Sequence, residues 1–304
     1  MNVKRKKIFK NLENIDISNV RKIGDYCLFN NRKIKDLNLL KTIIIGDYFL
    51  ASNDGLINFK ASNLVKLGHF FFASNRSIIK LQLESLKEIG DSFLRCNKRT
   101  KILRFPNLIK VGNNFMGLNQ DVMFFEAPNL EEVGNDFLKF CKNLFLFEAH
   151  NLKKVGDAFL YGNQKLTFLD LPNLEEIGSY FLYFNSKLKI LKLLNVKKIG
   201  DSFLYYNQEL VRFLTPLLRS VGDFFLFSNQ KLLNLDLPNI EVVGNYFFYA
   251  NEIIQNLNLP NLRQMGKRSL CKVKKPTILK EPHVYELIHS FPKKVLTKNI
   301  KLTR

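Results

Sequence analysis

Apolar and polar residues follow one another along this chain in a pattern that repeats every 22 residues. Each unit of the pattern contains a glycine, and no insertion or deletion changes the interval between successive glycines. These glycines are Gly24, Gly46, Gly68, Gly90, Gly112, Gly134, Gly156, Gly178, Gly200, Gly222, Gly244 and Gly266. Self-similarity at a fixed period of this length predicts a solenoid, in which each coil buries its apolar side chains against its neighbours.

Positions within a coil, counted from its glycine, predict the elements of that coil. Apolar residues at positions 13 and 15 flank a polar residue, as in Leu169, Asp170 and Leu171, which is the period of a half-buried strand. Apolar residues at positions 3 and 4 cannot both face the core from a strand, so they predict a short helical turn. An asparagine recurs at position 7, and stacked asparagines are expected to form an internal ladder that satisfies backbone groups.

The fold class expected from these positions is an α/β leucine-rich-repeat solenoid with twelve coils of 22 residues. Its parallel strands are expected to form a concave sheet, with the short helical turns on the convex side. The first of the twelve strands is centred on Ile15-Asp16-Ile17, and the last is centred on Leu257-Asn258-Leu259. Glycine is expected to permit the backbone angle at the corner, and the Asp or Asn that often follows it is expected to cap the turn.

The stretch IGDSFLYYNQELVRFL, residues 199–214, resembles the BspA-like, or treponemal, class of bacterial leucine-rich repeat, which reads IGxxAFxxCxxLxxIxIP. The spacing from the glycine to the proline matches, and the resemblance covers roughly residues 11–266. The chain departs from the pattern with Phe-Leu for Ala-Phe, Asn for Cys and one residue fewer after the proline, although Cys141 keeps the cysteine. The resemblance implies surface adhesion and protein binding, often by a secreted protein.

The two ends of the chain hold most of its formal net charge of +20. Residues 1–10 are predicted to be a basic N-terminal segment, residues 11–266 the solenoid, and residues 267–304 a basic C-terminal cap with eleven Lys or Arg residues. A helix is predicted over residues 282–291, where Val284, Leu287, Ile288 and Phe291 share one face. Such a helix would cover the apolar side of the last coil.

The chain offers little support for catalysis or for a bound metal. Its four histidines lie at unrelated positions of the repeat, no CxxC pair occurs, and phosphate-binding loop patterns are absent. We therefore expect a non-enzymatic protein with no cofactor and no metal site. Cys27, Cys96, Cys141 and Cys271 are expected to be reduced packing thiols. Because neither a long apolar segment nor a secretory signal is present, we expect a cytoplasmic protein, or one exported without a recognisable signal peptide.

The outward positions of the concave strands form the candidate binding site. Position 12 carries five apolar side chains in consecutive coils, and position 14 places three carboxylates beside them. The residues predicted to bind a partner are Lys80, Ile102, Phe124, Leu146, Phe168, Ile190, Arg212, Glu126, Glu148 and Asp170. We expect this patch to bind a protein or peptide with an apolar centre and complementary basic groups. Alternatively, capping segments or sheet stacking cover the stripe, or the stripe mediates dimerisation.

The basic ends of the chain support an alternative function, which is binding to nucleic acid or to an anionic surface. The candidate residues are Lys4 to Lys7 and the tail around Lys272, Lys274, Lys275, Lys293 and Lys294. Proteins that bind single strands interleave such cations with stacking aromatic residues. These ends offer only Phe9, Tyr285 and Phe291 for that purpose.

Two further patterns concern the outer surface. Charged pairs just before the glycines alternate in sign from coil to coil, which predicts ion pairs between neighbouring coils; they are Glu131-Glu132, Lys153-Lys154, Glu175-Glu176 and Lys197-Lys198. Aromatic residues at positions 2 and 5 form a stripe on the convex side of the C-terminal half, with Tyr180, Tyr183, Tyr205, Phe224, Phe227, Tyr246 and Tyr249. Either stacking between coils or a second binding surface would explain this stripe.

Overall fold

The computed structural model describes residues 17–97 and 99–273, together with the backbone of the short strands Asn2–Val3 and Thr277–Lys280. The chain divides into two compact units, Met1–Asn163, called unit 1, and Gln164–Arg304, called unit 2. In both units the coils place one two-residue strand just before the glycine and one three-residue strand at positions 12 to 14. The interior lies between these two kinds of strand and the turns that follow each glycine.

In unit 1, the strands of each kind pair in parallel with the same strand of the next coil. The two-residue strands are β1 (Asn2–Val3), β2 (Lys22–Ile23), β4 (Ile44–Ile45), β6 (Lys66–Leu67), β8 (Glu88–Ile89), β10 (Lys110–Val111), β12 (Glu132–Val133) and β14 (Lys154–Val155). The three-residue strands are β3 (Asp36–Asn38), β5 (Asn58–Lys60), β7 (Lys80–Gln82), β9 (Ile102–Arg104), β11 (Phe124–Glu126) and β13 (Leu146–Glu148). These longer strands form two sheets, β3-β5-β7 and β9-β11-β13.

Unit 2 repeats this arrangement. Its two-residue strands are β16 (Glu176–Ile177), β18 (Lys198–Ile199), β20 (Ser220–Val221), β22 (Val242–Val243) and β24 (Gln264–Met265). Its longer strands are β15 (Phe168–Asp170), β17 (Ile190–Lys192), β19 (Arg212–Leu214), β21 (Asn234–Asp236), β23 (Asn256–Asn258) and β25 (Thr277–Lys280). The longer strands form the sheets β15-β17-β19 and β21-β23-β25, and β18, β20, β22 and β24 form a ladder.

The prediction of a parallel-strand solenoid is confirmed, with about eleven turns. Eleven of the twelve predicted strands, from β3 to β23, lie where the repeat places them. Ile15 and Asp16 of the first predicted strand, and the helix predicted over residues 282–291, lie outside the described residues. The strand β25 pairs with β23, so strand pairing continues into the segment that was predicted to be a cap.

The prediction of short helical turns, and with it the α/β class, is wrong, because no helix occurs in the described parts of the chain. Turns follow each glycine, and their residues at positions 2, 4 and 6 have positive φ, such as 59° at Tyr180, 52° at Leu182 and 58° at Phe184. A helix needs consecutive residues in the right-handed region, so this alternation excludes it. The backbone N–H groups bond to neighbouring coils instead, as in the 2.9 Å bond from Tyr180 to the carbonyl of Asp201.

The repeated glycines are needed for close approach between coils rather than for an unusual backbone angle. Only Gly162, which is not one of the repeated glycines, has a positive φ among the described glycines. A Cβ atom on Gly222 would overlap the carboxylate of Asp201 and would lie 3.0 Å from the carbonyl carbon of Gly200. The expectation that glycine serves the backbone angle is therefore replaced by a steric requirement at the corner.

A row of phenylalanines at position 3 forms the centre of the core in each unit. The row contains Phe49, Phe71, Phe93, Phe115, Phe137 and Phe159 in unit 1, and Phe181, Phe203, Phe225 and Phe247 in unit 2. Neighbouring rings stack with centroids 4.9–5.8 Å apart in unit 1 and 5.2–5.5 Å apart in unit 2. Since burial of one such side chain contributes about 1.5–3 kcal/mol, this row is a large part of the stability of both units.

The asparagines at position 7 form the predicted internal ladder. The side-chain Nδ2 of Asn229 donates to the carbonyl oxygen of Leu204, in the preceding coil, at 2.9 Å. Cys141 holds the same position in unit 1, and its Sγ donates to the carbonyl oxygen of Met116 at 3.4 Å. A buried backbone carbonyl at position 4 is thereby satisfied by the next coil, which avoids the cost of an unpaired acceptor.

Two more rows of polar side chains join successive coils. The Oδ1 of Asp201, at position 1, accepts from the N–H of Asp223 at 2.8 Å, so this residue caps the next coil and not its own turn. The side chain of Asn239, at position 17, donates to the carbonyl oxygen of Pro216 in the preceding coil at 2.8 Å. The sequence pattern contained both rows, but it did not show that each one bridges two coils.

The predicted alternation of charge produces ion pairs between coils. In unit 1, Lys110 Nζ lies 2.7 Å from Glu132 Oε2, and Lys153 Nζ lies 3.0 Å from Glu131 Oε2. The hydrogen bond and positive charge of Lys110 lower the pKa of the Glu132 carboxyl. Exposed pairs of this kind contribute only about 0.2–1 kcal/mol each, so they favour the register of the coils more than they add stability.

Candidate functional site

The candidate site lies on the strand face, which we define as the outward side chains at positions 12 and 14 of the longer strands. Position 13 between them is buried, as at Leu103 and Phe125, and alternation along a strand turns its neighbours outward. In unit 1 this face presents Ile102, Phe124 and Leu146, which are paired in register on β9, β11 and β13. Their apolar side chains therefore form one row across three coils.

Parts of the apolar rows are accessible to solvent. The side chain of Ile102 is 58% exposed, and Phe124 and Leu146 are half-buried. In unit 2, Phe168 is 45% exposed. No part of the chain that the structure describes covers Ile102 or Phe168, so the suggestion that a capping segment covers the stripe finds no support in those parts.

Charged side chains border the row in unit 1. Arg104 Nε lies 3.1 Å from Glu126 Oε2, and the guanidinium carbon of Arg104 lies 5.2 Å from the centroid of the Phe124 ring. One cation therefore pairs with a carboxylate and with an aromatic face at the same time. Glu148, the next carboxylate along, is half-buried and forms no ion pair with any described residue. This end of the row has an uncompensated negative charge.

The first coils of unit 1 present a polar surface instead of an apolar one. A shallow groove of about 220 Å³ is lined by Asp36, Leu37, Asn38, Asn58, Phe59, Lys60, Lys80 and Gln82. The side chain of Asn58 donates to Asp36 Oδ1 at 2.5 Å across this groove. Lys80, which was predicted to border the apolar stripe, also lines this groove; it lies on β7, at the position that Ile102 holds in the next coil.

The strand face of unit 2 has a related arrangement. Phe168, Ile190 and Arg212 are paired in register on β15, β17 and β19. Lys192 Nζ lies 3.3 Å from Asp170 Oδ2 and 5.5 Å from the centroid of the Phe168 ring. As in unit 1, a cation at position 14 contacts both a carboxylate and the aromatic residue at position 12 of a neighbouring coil.

The structure thus assigns the predicted residues to two rows, one in each unit. Unit 1 brings together Ile102, Phe124, Leu146, Glu126 and Glu148, and unit 2 brings together Phe168, Ile190, Arg212 and Asp170. Arg104 and Lys192 are the cations that the repeat places at position 14 on either side of the three carboxylates, and both contact predicted residues. Neither was among the residues predicted to bind a partner, although the sequence pattern shows their charge.

A second surface lies in unit 2, on the turns that follow the glycines and not on the strands. We call it the aromatic strip, and it consists of the residues at positions 2, 5 and 6 of the turns: Tyr180, Tyr183, Phe184, Tyr205, Tyr206, Phe224, Phe227, Tyr246 and Tyr249. Tyr205 and Phe227 stack with centroids 4.4 Å apart, and Phe224 and Tyr246 stack at 4.8 Å. The predicted stacking between coils is therefore confirmed, and both Phe224 and Phe227 are half-buried.

The described residues show no arrangement that points to catalysis. No group of three or more His, Cys, Asp or Glu side chains is placed to hold a metal ion there. Burial raises the pKa of the Cys27 thiol to about 11 and that of the Cys141 thiol to about 12. Since the thiolate is the reactive form, these two cysteines are packing residues. Within the described residues, no helix has the length and apolar character needed to cross a membrane.

Known structures share the strand arrangement described above. A leucine-rich repeat protein from Bacteroides ovatus is 18% identical to the chain, with a TM-score of 0.64, and the match covers 82% of this chain and 73% of that protein. A leucine-rich repeat protein from Eubacterium ventriosum is 14% identical, with a TM-score of 0.48 and coverage of 81% and 85%. The first of these likenesses supports the fold, and at this identity it supports nothing beyond the fold.

Sequence comparison identifies the family. No curated protein sequence gives a significant match to the chain. The family model described as "BspA type Leucine rich repeat region (6 copies)" matches residues 5–118, 113–223 and 220–303, which is nearly the whole chain. The resemblance seen in the repeat is thereby confirmed, and the chain belongs to the BspA-type leucine-rich-repeat family.

Proposed function

We propose that this protein is a non-enzymatic scaffold that binds a protein or peptide on its strand face. The observation that carries this proposal is the row of Ile102, Phe124 and Leu146 in unit 1, which is aligned in register and beside a carboxylate, Glu148, that has no ion-pair partner among the described residues. Contiguous apolar surface with a polar border has the composition of a protein-binding site. Membership of a leucine-rich-repeat family suits the same role.

The charges of the row define the chemistry of the partner. Glu126 is already paired with Arg104, whose guanidinium also covers part of the Phe124 ring. Glu148 remains to be neutralised, and it lies on the same strand as Leu146, two residues further along. A partner that places an apolar side chain on Phe124 and Leu146, with a Lys or Arg beside it, would satisfy both requirements. Burial of the pair on binding would strengthen its attraction.

The row of unit 2 offers a related but weaker surface. The carboxylate of Asp170 is paired with Lys192, and Arg212 ends the row with a positive charge. Its partner segment would therefore carry an acidic group beside Arg212. The strand faces of the two units accordingly differ in the sign of their available charge, and unit 1 is the better candidate for a basic ligand.

The experiment selects peptides from a displayed random library on the full-length protein, and then measures their affinity for variants. We expect selected peptides to combine apolar residues with Lys or Arg. Phe124→Lys and Glu148→Lys are expected to weaken binding by tenfold or more, because the first removes an apolar contact and the second repels the cation of the peptide.

The matched control is Val242→Lys, which places the same charge at an exposed apolar residue of the two-residue strand β22, away from the strand face. This variant should bind the peptides as the unmodified protein does. Folded Phe124→Lys and Glu148→Lys variants that retain full affinity would contradict the proposed site. The alternative function through the basic ends rests on Lys4 to Lys7 and on the tail around Lys272, Lys274, Lys275, Lys293 and Lys294. Of these residues only Lys272 lies within the described part of the chain, and the alternative stays a prediction.

A further inference from the structure

The aromatic strip of unit 2 is a continuous stack rather than a set of separate rings. Tyr183, Tyr205, Phe227 and Tyr249, all at position 5, stack with centroids 4.7, 4.4 and 4.9 Å apart and with nearly parallel planes. Phe184 and Tyr206, at position 6, stack beside them at 5.1 Å. The strip thus extends over four consecutive coils of the turn segments.

The stacking decides which parts of the rings a ligand can reach. Each inner ring has its faces covered by the rings of the adjacent coils, which leaves the ring edges for contact with a ligand. Tyr180 and Phe184 remain 47% and 42% exposed. Ligands that need open ring faces, such as sugars, are poorly suited to this surface. A partner that tolerates a belt of ring edges and hydroxyl groups is favoured.

Two cations close the strip at the coil that follows Tyr249. Arg268 Nη1 donates to the hydroxyl oxygen of Tyr246 at 2.8 Å, and its guanidinium carbon lies 5.6 Å from the ring centroid. Lys272 Nζ lies 5.4 Å from the centroid of the Tyr249 ring. Both cations are exposed, and the sequence that follows, residues 274–304, contains eight further Lys or Arg residues and two Glu.

The fold itself does not require aromatic residues at these positions. Position 5 carries Ala51, Ala73, Arg95 and Lys139 in coils of unit 1, and position 2 carries Ser202 within unit 2. The backbone of the turn is the same in these coils, with positive φ at positions 2, 4 and 6. The strip is therefore an addition to the scaffold, and a surface role explains it better than a folding role.

We propose that the aromatic strip docks unit 2 on an anionic phospholipid bilayer. Tyrosine has an apolar ring and a polar tip, which suits it to the level of the lipid head groups. Arg268 and Lys272 would contact anionic head groups at one end of the strip, with the electrostatic attraction that basic residues have for such surfaces. Asp201 and Asp223 lie at position 1 of the two middle coils of the strip, so we place the anionic lipids at the Arg268 end.

A bilayer fits better than a protein partner because the stacked rings leave no open pocket between neighbouring coils of the strip. Protein interfaces depend on pockets that accept an anchor side chain, whereas neighbouring rings already occupy the faces between these coils. A bilayer requires only an aromatic belt with adjacent cations. This inference is independent of the strand-face proposal, since the two surfaces share no residue.

The experiment measures sedimentation of the full-length protein with vesicles, made either of phosphatidylcholine alone or of equal phosphatidylcholine and phosphatidylglycerol. We expect binding to the mixed vesicles and little binding to the neutral ones. The combined variant Tyr183→Ala, Tyr205→Ala, Phe227→Ala and Tyr249→Ala should lower the partition coefficient by at least about tenfold. Alanine already occurs at this position in Ala51 and Ala73, which favours a folded variant.

A second variant tests the cations without disturbing the stack. Arg268→Gln with Lys272→Gln should lower binding to the mixed vesicles by about 30-fold, because each cation near an anionic surface contributes substantially to the attraction. The matched control, Phe168→Ala with Ile190→Ala on the strand face of the same unit, should bind as the unmodified protein does.

A spectroscopic readout makes the test independent of affinity. The chain contains no tryptophan, so Tyr205→Trp introduces a single reporter into the strip. We expect its emission to shift to shorter wavelength on mixed vesicles and to be quenched by brominated lipid, while a Phe168→Trp control shows neither effect. Absence of binding to mixed vesicles, full binding by the four-alanine variant, or an unshifted Tyr205→Trp emission would each overturn the proposal. A strip that binds a protein partner and not lipid would give these same results.

Discussion

The turn segments of the two units have the same backbone conformation and similar buried residues, but they expose different side chains. In unit 1, position 5 carries Phe29, Ala51, Ala73, Arg95, Gly117, Lys139 and Tyr161, whereas in unit 2 it carries Tyr183, Tyr205, Phe227, Tyr249 and Cys271. Position 3, which faces inward, is phenylalanine in most coils of both units. The difference teaches that the repeat constrains the inward positions, while the outward positions are free to carry function.

The first coils of unit 1 show that stacking follows from the spacing of coils alone. Tyr26, Tyr48 and Phe70, at position 2 of successive coils, stack with centroids 4.7 and 4.6 Å apart. Parallel strands lie about 4.8 Å apart, which is close to the distance between stacked rings. Aromatic residues that recur at one outward position therefore stack in either unit, and unit 2 differs in having such stacks at positions 2, 5 and 6.

The largest expected effect tests whether the interiors of the two units are equivalent. Phe203→Ala in unit 2 and Phe115→Ala in unit 1 are each expected to lower the free energy of unfolding by about 3–5 kcal/mol. Both rings are fully buried between stacked phenylalanines of the adjacent coils. The measurement is denaturant unfolding followed by circular dichroism. A clear loss for only one of the two variants would break the equivalence of the interiors.

The next effect concerns the internal ladder. Asn229→Ala is expected to lower the free energy of unfolding by about 1–3 kcal/mol, because the carbonyl of Leu204 loses its buried donor. Asn229→Cys is expected to cost less, since Cys141 fills the same position in unit 1 and donates to Met116. The same unfolding measurement compares the two variants. Equal losses for alanine and cysteine would show that the hydrogen bond is not the source of the stability.

The smallest effect sharpens the difference between the turn segments. Tyr205→Ala removes two stacked contacts and is expected to lower the free energy of unfolding by about 1 kcal/mol. Arg95→Ala, at the same position of unit 1, exposes no packed surface and is expected to change it by less than about 0.5 kcal/mol. Thermal unfolding of both variants checks the comparison. A loss for Tyr205→Ala as large as that for Phe203→Ala would mean that the strip belongs to the core.

The sequence predicted most of the scaffold, because the repeat acts in every coil. The alternation of apolar and polar residues around Asp170 predicted a strand, and the asparagine that recurs at position 7, such as Asn229, predicted the internal ladder. The opposite charges of Glu131 and Lys153 predicted an ion pair between coils. The helical turn was wrong for an identifiable reason. Two adjacent apolar residues, such as Phe203 and Leu204, can both face inward from a helix or from a chain of turns with alternating φ, and the pattern is the same in both cases.

The candidate site was predicted less completely than the scaffold. The rows of Ile102 and Phe168 could be found from position 12 alone, because a strand must turn that position outward. The contacts of Arg104 with Glu126 and Phe124 could not, since they depend on which way a long side chain points across neighbouring coils. The polar groove that Lys80 lines in the first coils of unit 1 was equally hidden from the pattern.

The sequence by itself determined the period, the strands and the inward rows, because each of these follows from side chains that must leave water at fixed positions of a repeat. The tertiary structure decided how one coil meets the next. The close approach at Gly222, the cap that Asp201 gives to the following coil, and the stack from Tyr183 to Tyr249 are all contacts between residues one coil apart. Such contacts depend on the distance between coils and on the backbone of the turns, and neither quantity is written in the hydrophobic pattern.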